Sequence, residues 1–278
     1  MKYKKTIIGV ASIFTFCVIA VVLTQPLFIK AIAAKYKSTD HFLTLQDDAR
    51  IRYEQPAKRN AVILSDVLSE SQNAVENILS ARFQKPVEVY VCSTQEVFNE
   101  YVFLSKNVRG AMYWGKVFLS PGAFNRGSLK RLTSHELTHY LFYTYLGRDA
   151  HIKGIPLWFR EGVAEFVANG GSEYHSGKEL SSLMSYKEKS AYLSGDLDFW
   201  FSTENPADAV TKEGVANWLL YRVGSLFVHF MRNSKPDKFN ALIQLLLSGT
   251  EFDEALHVTY GQDTESLLTE FTHYLTLK

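Results

Sequence analysis

Two histidines four residues apart are the first side chains in this sequence that could perform chemistry. They are His135 and His139 in the stretch LTSHELTHYLF, with Glu136 directly after the first. Residues four apart share one face of a helix, so both imidazoles can bind one ion at zinc–nitrogen distances of about 2.0 to 2.1 Å. Glu136 is turned about 100° away from His135, where a carboxylate can take a proton from water. The spacing indicates a hydrolytic metal site; the alternative is a solvated helix that carries histidines by chance.

A glutamate in the following helical stretch is the candidate for a third ligand. Catalytic zinc usually has three protein ligands and one open position. Glu161 lies in PLWFREGVAEF, and Glu165 follows one turn later on the same face. Carboxylates beside apolar residues such as Trp158 are costly to bury without a cation. We therefore predict that Glu161 joins the two histidines on one Zn²⁺ ion, with an ordinary solvated glutamate face as the alternative.

Two helices must position these side chains. Ser128 is the predicted N-cap of the first helix, which runs to about Leu146, and Gly147 is in the position of a stop. After a polar loop, Pro156 begins the second helix, which ends before Asn169. The loop allows the second helix to double back, so its glutamates can approach the histidines.

The remaining elements define the fold class. An amphipathic helix is predicted over 61–83, a strand over 85–93 and a short helix over 94–104, with Ser93 or Thr94 as its cap. Residues 109–122 have strand composition interrupted by glycines, and beyond 172 the pattern is mostly helical. We predict an α+β, helix-dominant protein whose small β-containing subdomain precedes a helical C-terminal part.

The N-terminus predicts export. Residues 1–5 are basic and residues 6–23 carry no charge. A helix of that length is roughly 27 Å long, close to the thickness of a bilayer's hydrocarbon core. A signal peptide normally has a shorter apolar region, of about 7 to 15 residues, so we favour an uncleaved anchor over 1–30 followed by a spacer, or a first irregular strand, over 31–60. The lysines keep the short end cytoplasmic, which predicts a single-pass membrane protein with residues 61–278 periplasmic or extracellular; cleavage near AIA at 31–33 would make it secreted.

The composition gives no support to nucleic-acid binding or to a zinc cluster held by cysteines. A net charge of +1 on 278 residues gives no reason to expect nucleic acid. Cys17 and Cys92 are too few for a cysteine-based zinc cluster. The other histidines are not assigned to the site. His151 lies in the loop between the two motif helices and could line the cleft, but we interpret it as an exposed loop residue, and His229 as a core residue. The rest have no partner at metal spacing; they are His41, His175, His257 and His273.

The motif SHELTHYLF followed by GIPLWFREGVAEFVA resembles the paired helices of gluzincin zinc metallopeptidases, in particular the peptidase-MA-like group. The resemblance covers about residues 60–275 and implies a zincin-type helical part over 61–278. It implies His135, His139 and Glu161 as ligands of one Zn²⁺ and Glu136 as the general base. Glu165 would accept the other N–H of a ligand histidine and so fix its tautomer.

The same resemblance places a substrate edge strand at RGAMYWG. In gluzincin aminopeptidases this strand reads Gly-Ala-Met-Glu-Asn, and its glutamate grips the free amino group of the substrate. The uncharged Tyr113 and Trp114 stand in those places, which favours endopeptidase-like cleavage of a peptide or protein substrate. The edge-strand residues are Gly110, Ala111, Met112, Tyr113 and Trp114.

On these grounds we expect the protein to be a membrane-anchored zinc metallopeptidase whose catalytic part lies outside the cytoplasm. A zinc-activated water would attack the peptide bond while Glu136 passes its proton to the leaving amine. Tyr221 is a candidate donor to the oxyanion, because relatives carry a tyrosine in the corresponding helix; a core tyrosine is the alternative. The competing interpretations are a catalytically silent gluzincin scaffold that binds a peptide or envelope partner, and a structural membrane-anchored domain.

Overall fold

The protein is described from a computed structural model. The structure describes residues 26–103, 108–125, 128–171, 184–194, 201 and 217–276. The apolar segment at 6–23, where the membrane anchor is predicted, lies outside these described residues. Among the helices within them, none is both long and apolar enough to cross a bilayer.

A mixed sheet forms the N-terminal part of the protein. Within the described residues it has five strands in the order β1-β2-β3-β5-β4. Strands β2, β3 and β5 are parallel, and the two edge strands β1 and β4 are antiparallel to their neighbours. The strands are β1 (Leu43–Thr44), β2 (Ile51–Tyr53), β3 (Val89–Val91), β4 (Gly110–Tyr113) and β5 (Lys116–Leu119). The segment 31–60, interpreted as a spacer or an irregular strand, thus contributes β1 and β2 to the sheet.

Within the part of the chain that the structure describes, three α-helices precede the metal-site motif. They are α1 (Pro26–Tyr36), α2 (Lys58–Leu79) and α3 (Gln95–Tyr101). Helix α2 buries Leu64, Leu68 and Val75 completely, as its apolar spacing predicts. It ends earlier than residue 83 because Ser80 adopts a left-handed conformation with φ of 51°. Thr94 caps α3, since its hydroxyl accepts a hydrogen bond from the Val97 N–H at 3.2 Å.

The glycine-interrupted stretch forms a hairpin, not one strand. Strands β4 and β5 are joined by Trp114 and Gly115, whose φ angles of 51° and 76° are both positive, as the tight primed hairpin turns require. The prediction that Trp114 lies in the edge strand is therefore wrong: β4 ends at Tyr113 and Trp114 occupies the turn. The prediction that β4 is an edge strand agrees with the strand order.

The helical C-terminal part confirms the helix-dominant α+β class. Among its described residues the helices are α4 (Leu129–Lys153), α5 (Leu157–Ala168), α6 (Tyr186–Leu193), α7 (Asn217–Ser234), α8 (Pro236–Leu247), α9 (Phe252–Tyr260) and α10 (Thr264–Thr276). Ser128 is the N-cap residue of α4, but its side chain makes no capping hydrogen bond. Gly147 has φ of 71° and ψ of −179°, so it kinks α4 where a stop was predicted, and the helix resumes as far as Lys153.

Helices α5 and α7 cross at two glycines. A Cβ atom on Gly162 would lie 2.8 Å from the carbonyl carbon and oxygen of Gly224. The two backbones are therefore in contact, and no side chain separates them. Next to this crossing, the fully buried ring of Trp158 stacks on Phe227 with the centroids 5.0 Å apart. The crossing brings the helix that carries Glu161 close to the helix that carries Tyr221.

Candidate metal centre

Three side chains from two helices converge in the cleft between α4 and α5. The Nε2 atoms of His135 and His139 are 3.2 Å apart. Oε2 of Glu161 lies 3.4 Å from the first and 3.5 Å from the second. Within the described residues this is the group of histidine, cysteine and acidic side chains that can hold a metal ion. The i,i+4 spacing on α4 and the return of α5 produce this triangle, as the sequence predicts.

The dimensions of the triangle fit zinc. In a tetrahedral site with zinc–ligand bonds of about 2.05 Å, ligand atoms are about 3.3 to 3.4 Å from one another. The three measured separations, from 3.2 to 3.5 Å, bracket that value. Two imidazoles and one carboxylate are also the ligand set of a common class of catalytic zinc sites, which leaves the fourth position open. The residues therefore fit one zinc ion with room for water or substrate.

The charges in this cleft shift the pKa values of Glu161 and His139. Burial alone would raise the pKa of Glu161, but the charges of the two histidines and their hydrogen bonds lower it well below its usual range. Burial alone would lower the pKa of His139, but the charge and the hydrogen bond of Glu161 raise it above its usual value. Glu161 is therefore a carboxylate throughout the physiological range, and protons compete with a cation for His139.

Glu136 lies beside the edge strand β4. Its carboxylate is buried and its Oε2 accepts a hydrogen bond from the Met112 N–H at 2.7 Å. In the β4–β5 hairpin, Met112 belongs to a pair without ladder hydrogen bonds, so its N–H points away from β5 toward the open edge. The structure thus brings the carboxylate of Glu136 to the open edge of β4.

Glu165 lies behind His135 and is held by two further side chains. Its Oε2 is 3.5 Å from Nδ1 of His135, on the side of the ring opposite the triangle. Its Oε1 pairs with Arg131 and accepts a hydrogen bond from Asn169 Nδ2 at 3.1 Å. Neither partner was predicted from the sequence, although Arg131 is four residues before His135 and Asn169 is four residues after Glu165. The i,i+4 rule that relates the histidines could have found them.

Tyr221 projects from α7 toward the same cleft. Its ring centroid is 6.3 Å from that of His135, in an edge-to-face arrangement. The negative charge of Glu161, together with burial, raises the pKa of Tyr221 well above its usual value. The hydroxyl therefore stays protonated and is able to donate a hydrogen bond. Its side chain is partly buried.

The interpretation of His151 as an exposed loop residue is wrong, because the structure buries it. It lies in the part of α4 beyond the Gly147 kink, is only 3% exposed, and its ring centroid is 5.9 Å from that of His139. Burial lowers the pKa of His151 to about 3, so the ring is neutral at pH 7. The prediction failed because the helix continues past Gly147 and turns the residue inward.

The remaining histidines do not join the site within the described residues. His229 is buried on α7 and its Nε2 is 3.0 Å from Asn233 Nδ2, in keeping with a core role. His41 lies 3.4 Å from Glu54 beside the sheet. His257 and His273 are on α9 and α10, and His175 falls outside the described residues.

The chain is distantly similar to a known protein. No protein-family profile matches the chain. Collagenase ColT of Clostridium tetani is 23% identical over 158 residues, which cover 53% of this chain but only 16% of that protein. The chain therefore shares a limited region with a much longer collagenase, and it carries a His-His-Glu cluster of the HExxH…E zinc type.

Proposed function

We propose that this protein is a zinc metallopeptidase that cleaves peptide bonds within polypeptide chains. The observation that carries the proposal is the triangle of His135, His139 and Glu161, whose dimensions suit a tetrahedral zinc ion. The likeness to a collagenase supports a protein substrate. Because the matched region is a small part of that enzyme, collagen itself is not proposed as the substrate.

Each side chain has a defined task in this proposal. His135, His139 and Glu161 hold the ion, which when bound supplies the Lewis acidity that polarises a carbonyl and acidifies water. Glu136 takes the proton from the attacking water and delivers it to the leaving amine. Its hydrogen bond from the Met112 N–H keeps the carboxylate at the substrate edge. The protonated hydroxyl of Tyr221 donates to the oxyanion that develops on the scissile carbonyl.

The edge strand β4 supports endopeptidase-like cleavage. An extended peptide can add to its open edge as a further strand, with backbone hydrogen bonds that do not depend on the substrate's ends. Tyr113 and Trp114 carry no negative charge. In addition, Lys35 Nζ and Arg148 Cζ each lie 4.3 Å from the ring centroid of Trp114. Two cations at this position repel a free amino group, so aminopeptidase action is disfavoured.

The test is the variant Glu136→Gln. We expect it to retain about one zinc per chain by elemental analysis, because Glu136 is not a ligand, and to lose peptide hydrolysis by at least about 10²-fold. A matched control is Glu70→Gln, since Glu70 is exposed on α2 and should leave turnover unchanged. Unchanged turnover in Glu136→Gln would refute the assignment of the base. Zinc binding with no hydrolysis in the wild-type chain would favour the silent scaffold.

We also propose, from the sequence alone, that residues 6–23 anchor the chain and that residues 61–278 lie outside the cytoplasm. The support is the uncharged stretch behind a basic N-terminus. Protease digestion of spheroplasts, in which the cytoplasmic membrane is the only barrier, followed by detection of the C-terminal part, tests this arrangement. Protection from the protease in intact spheroplasts together with digestion after lysis would contradict it.

A further inference from the structure

A small cavity adjoins the substrate edge of the sheet. It has a volume of about 80 Å³ and lies between the β4–β5 turn and α4. A space of this size holds a few water molecules or one side chain. Because the Met112 N–H binds Glu136, the cavity begins next to the base of the proposed reaction. Its walls include Met112, Tyr113, Trp114, Tyr143, Arg148 and His151.

One wall of the cavity has unmet hydrogen-bonding capacity. His151 is 97% buried, and neither Nδ1 nor Nε2 has a hydrogen-bond partner among the described residues. Its ring is held parallel to that of Phe142, with the centroids 6.0 Å apart and the planes at 7°. Buried polar groups in native proteins are nearly always paired, because an unpaired one has lost its hydrogen bonds to water without replacement. The neutral imidazole is thus a fixed donor and acceptor that a bound group can satisfy.

The mouth of the cavity is positively charged. The guanidinium of Arg148 and the ammonium of Lys35 both lie over the ring of Trp114, each 4.3 Å from its centroid. Arg148 also bonds the exposed Asp149 at 3.2 Å, but none of the described residues that line the cavity is acidic. A guanidinium that an aromatic ring already holds in place can present its N–H groups to a carboxylate with little further loss of side-chain freedom. The charge and the donors together fit an anion better than an apolar or cationic side chain.

We propose that this cavity is a specificity subsite for an acidic side chain, aspartate or glutamate, of the substrate residue next to the scissile bond. The proposal rests on the proposed peptidase function. A peptide strand paired to β4 directs alternate side chains to one face, so one residue near Met112 reaches the cavity. Arg148 then pairs with the carboxylate, and the His151 ring donates its N–H to it.

Cleavage profiling of the full zinc-loaded chain on a proteome-derived peptide library tests the subsite. Cleavages that disappear in Glu136→Gln are taken as those of this site. We expect aspartate or glutamate to be enriched at one fixed position beside the cleaved bond. For matched peptides with Glu or Gln at that position, the ratio of kcat/KM should be about tenfold or more in favour of Glu.

The variant Arg148→Gln should bring that ratio close to one, whereas Arg59→Gln, an exposed arginine on α2, should leave it as in the wild type. His151→Phe keeps the stacking on Phe142 and removes the donor, so it too should lower the ratio. Cleavage with no acidic preference, or a ratio that Arg148→Gln leaves unchanged, would overturn the subsite while the peptidase function stands. If no cleavage depends on Glu136, both proposals fail.

Discussion

Replacing Glu165 with Gln tests whether the side chains behind the ligands control metal affinity. The carboxylate of Glu165 lies 3.5 Å from Nδ1 of His135 and is held by Arg131 and Asn169. In the wild type the His135 N–H faces a fixed negative charge, which orients the ring and makes Nε2 a better donor to a metal. Glutamine has the same shape but no charge, and its amide can present an N–H where an acceptor is needed.

The expected loss follows from this geometry. Removing the carboxylate behind a ligand histidine typically costs 10- to 100-fold in metal affinity, or about 1.4 to 2.7 kcal/mol. The change also leaves Arg131 without its carboxylate partner, which adds a stability cost in the metal-free protein. We therefore expect zinc affinity to fall by about 10- to 100-fold, with the fold retained.

Competition with a chromogenic chelator measures this affinity directly. Glu70→Gln is the matched control, because Glu70 is an exposed glutamate paired with Lys130 and away from the triangle. A merely structural role for Glu165 would lower the melting temperature of the metal-free protein and leave the chelator competition unchanged. An affinity within twofold of the wild type would refute the reasoning that Glu165 tunes His135.

Three further outcomes are expected. Tyr221→Phe should lower kcat by about 10²- to 10³-fold with zinc content unchanged, measured by steady-state kinetics, and an unchanged kcat would exclude Tyr221 from the oxyanion site. Zinc affinity should fall by about tenfold for each pH unit below the raised pKa of His139, because protons compete with zinc for its Nε2. A zinc affinity that stays constant from pH 7 to 5 would contradict this. Gly162→Ala should lower the free energy of unfolding by about 1 to 3 kcal/mol, because the added Cβ would lie 2.8 Å from the Gly224 backbone. Denaturant unfolding measures this change, and a midpoint equal to that of the wild type would show that α5 and α7 can move apart without cost.

The ligand triangle could be predicted because its information is local. The spacing of His135 and His139 fixes their shared face, and the short connection to α5 limits where Glu161 can go. The helix-dominant fold class was equally accessible, since long amphipathic stretches such as α2 carry their periodicity in the sequence. Strands β1 and β2 have only two and three residues, too few for alternation to be recognised.

Other features depended on backbone conformations that residue types do not reveal. Trp114 takes a positive φ, which is rare for a large side chain, so the hairpin turn was hidden inside an apparent strand. Gly147 has the type of a helix stop but acts as a kink, because α4 resumes beyond it. The inward position of His151 follows from that kink. Its burial is a tertiary outcome that the polarity of the loop sequence could not indicate.

The contact between Gly162 and Gly224 restricts how this protein can vary over evolutionary time. A methyl group at either position meets backbone within 3.0 Å, and backbone cannot rotate aside as a side chain can. A larger residue at one glycine cannot be compensated by a smaller residue at the other, because glycine is already the smallest. We therefore expect both positions to remain glycine in any descendant that keeps Glu161 and Tyr221 facing one cleft, even where the surrounding aromatic residues are exchanged.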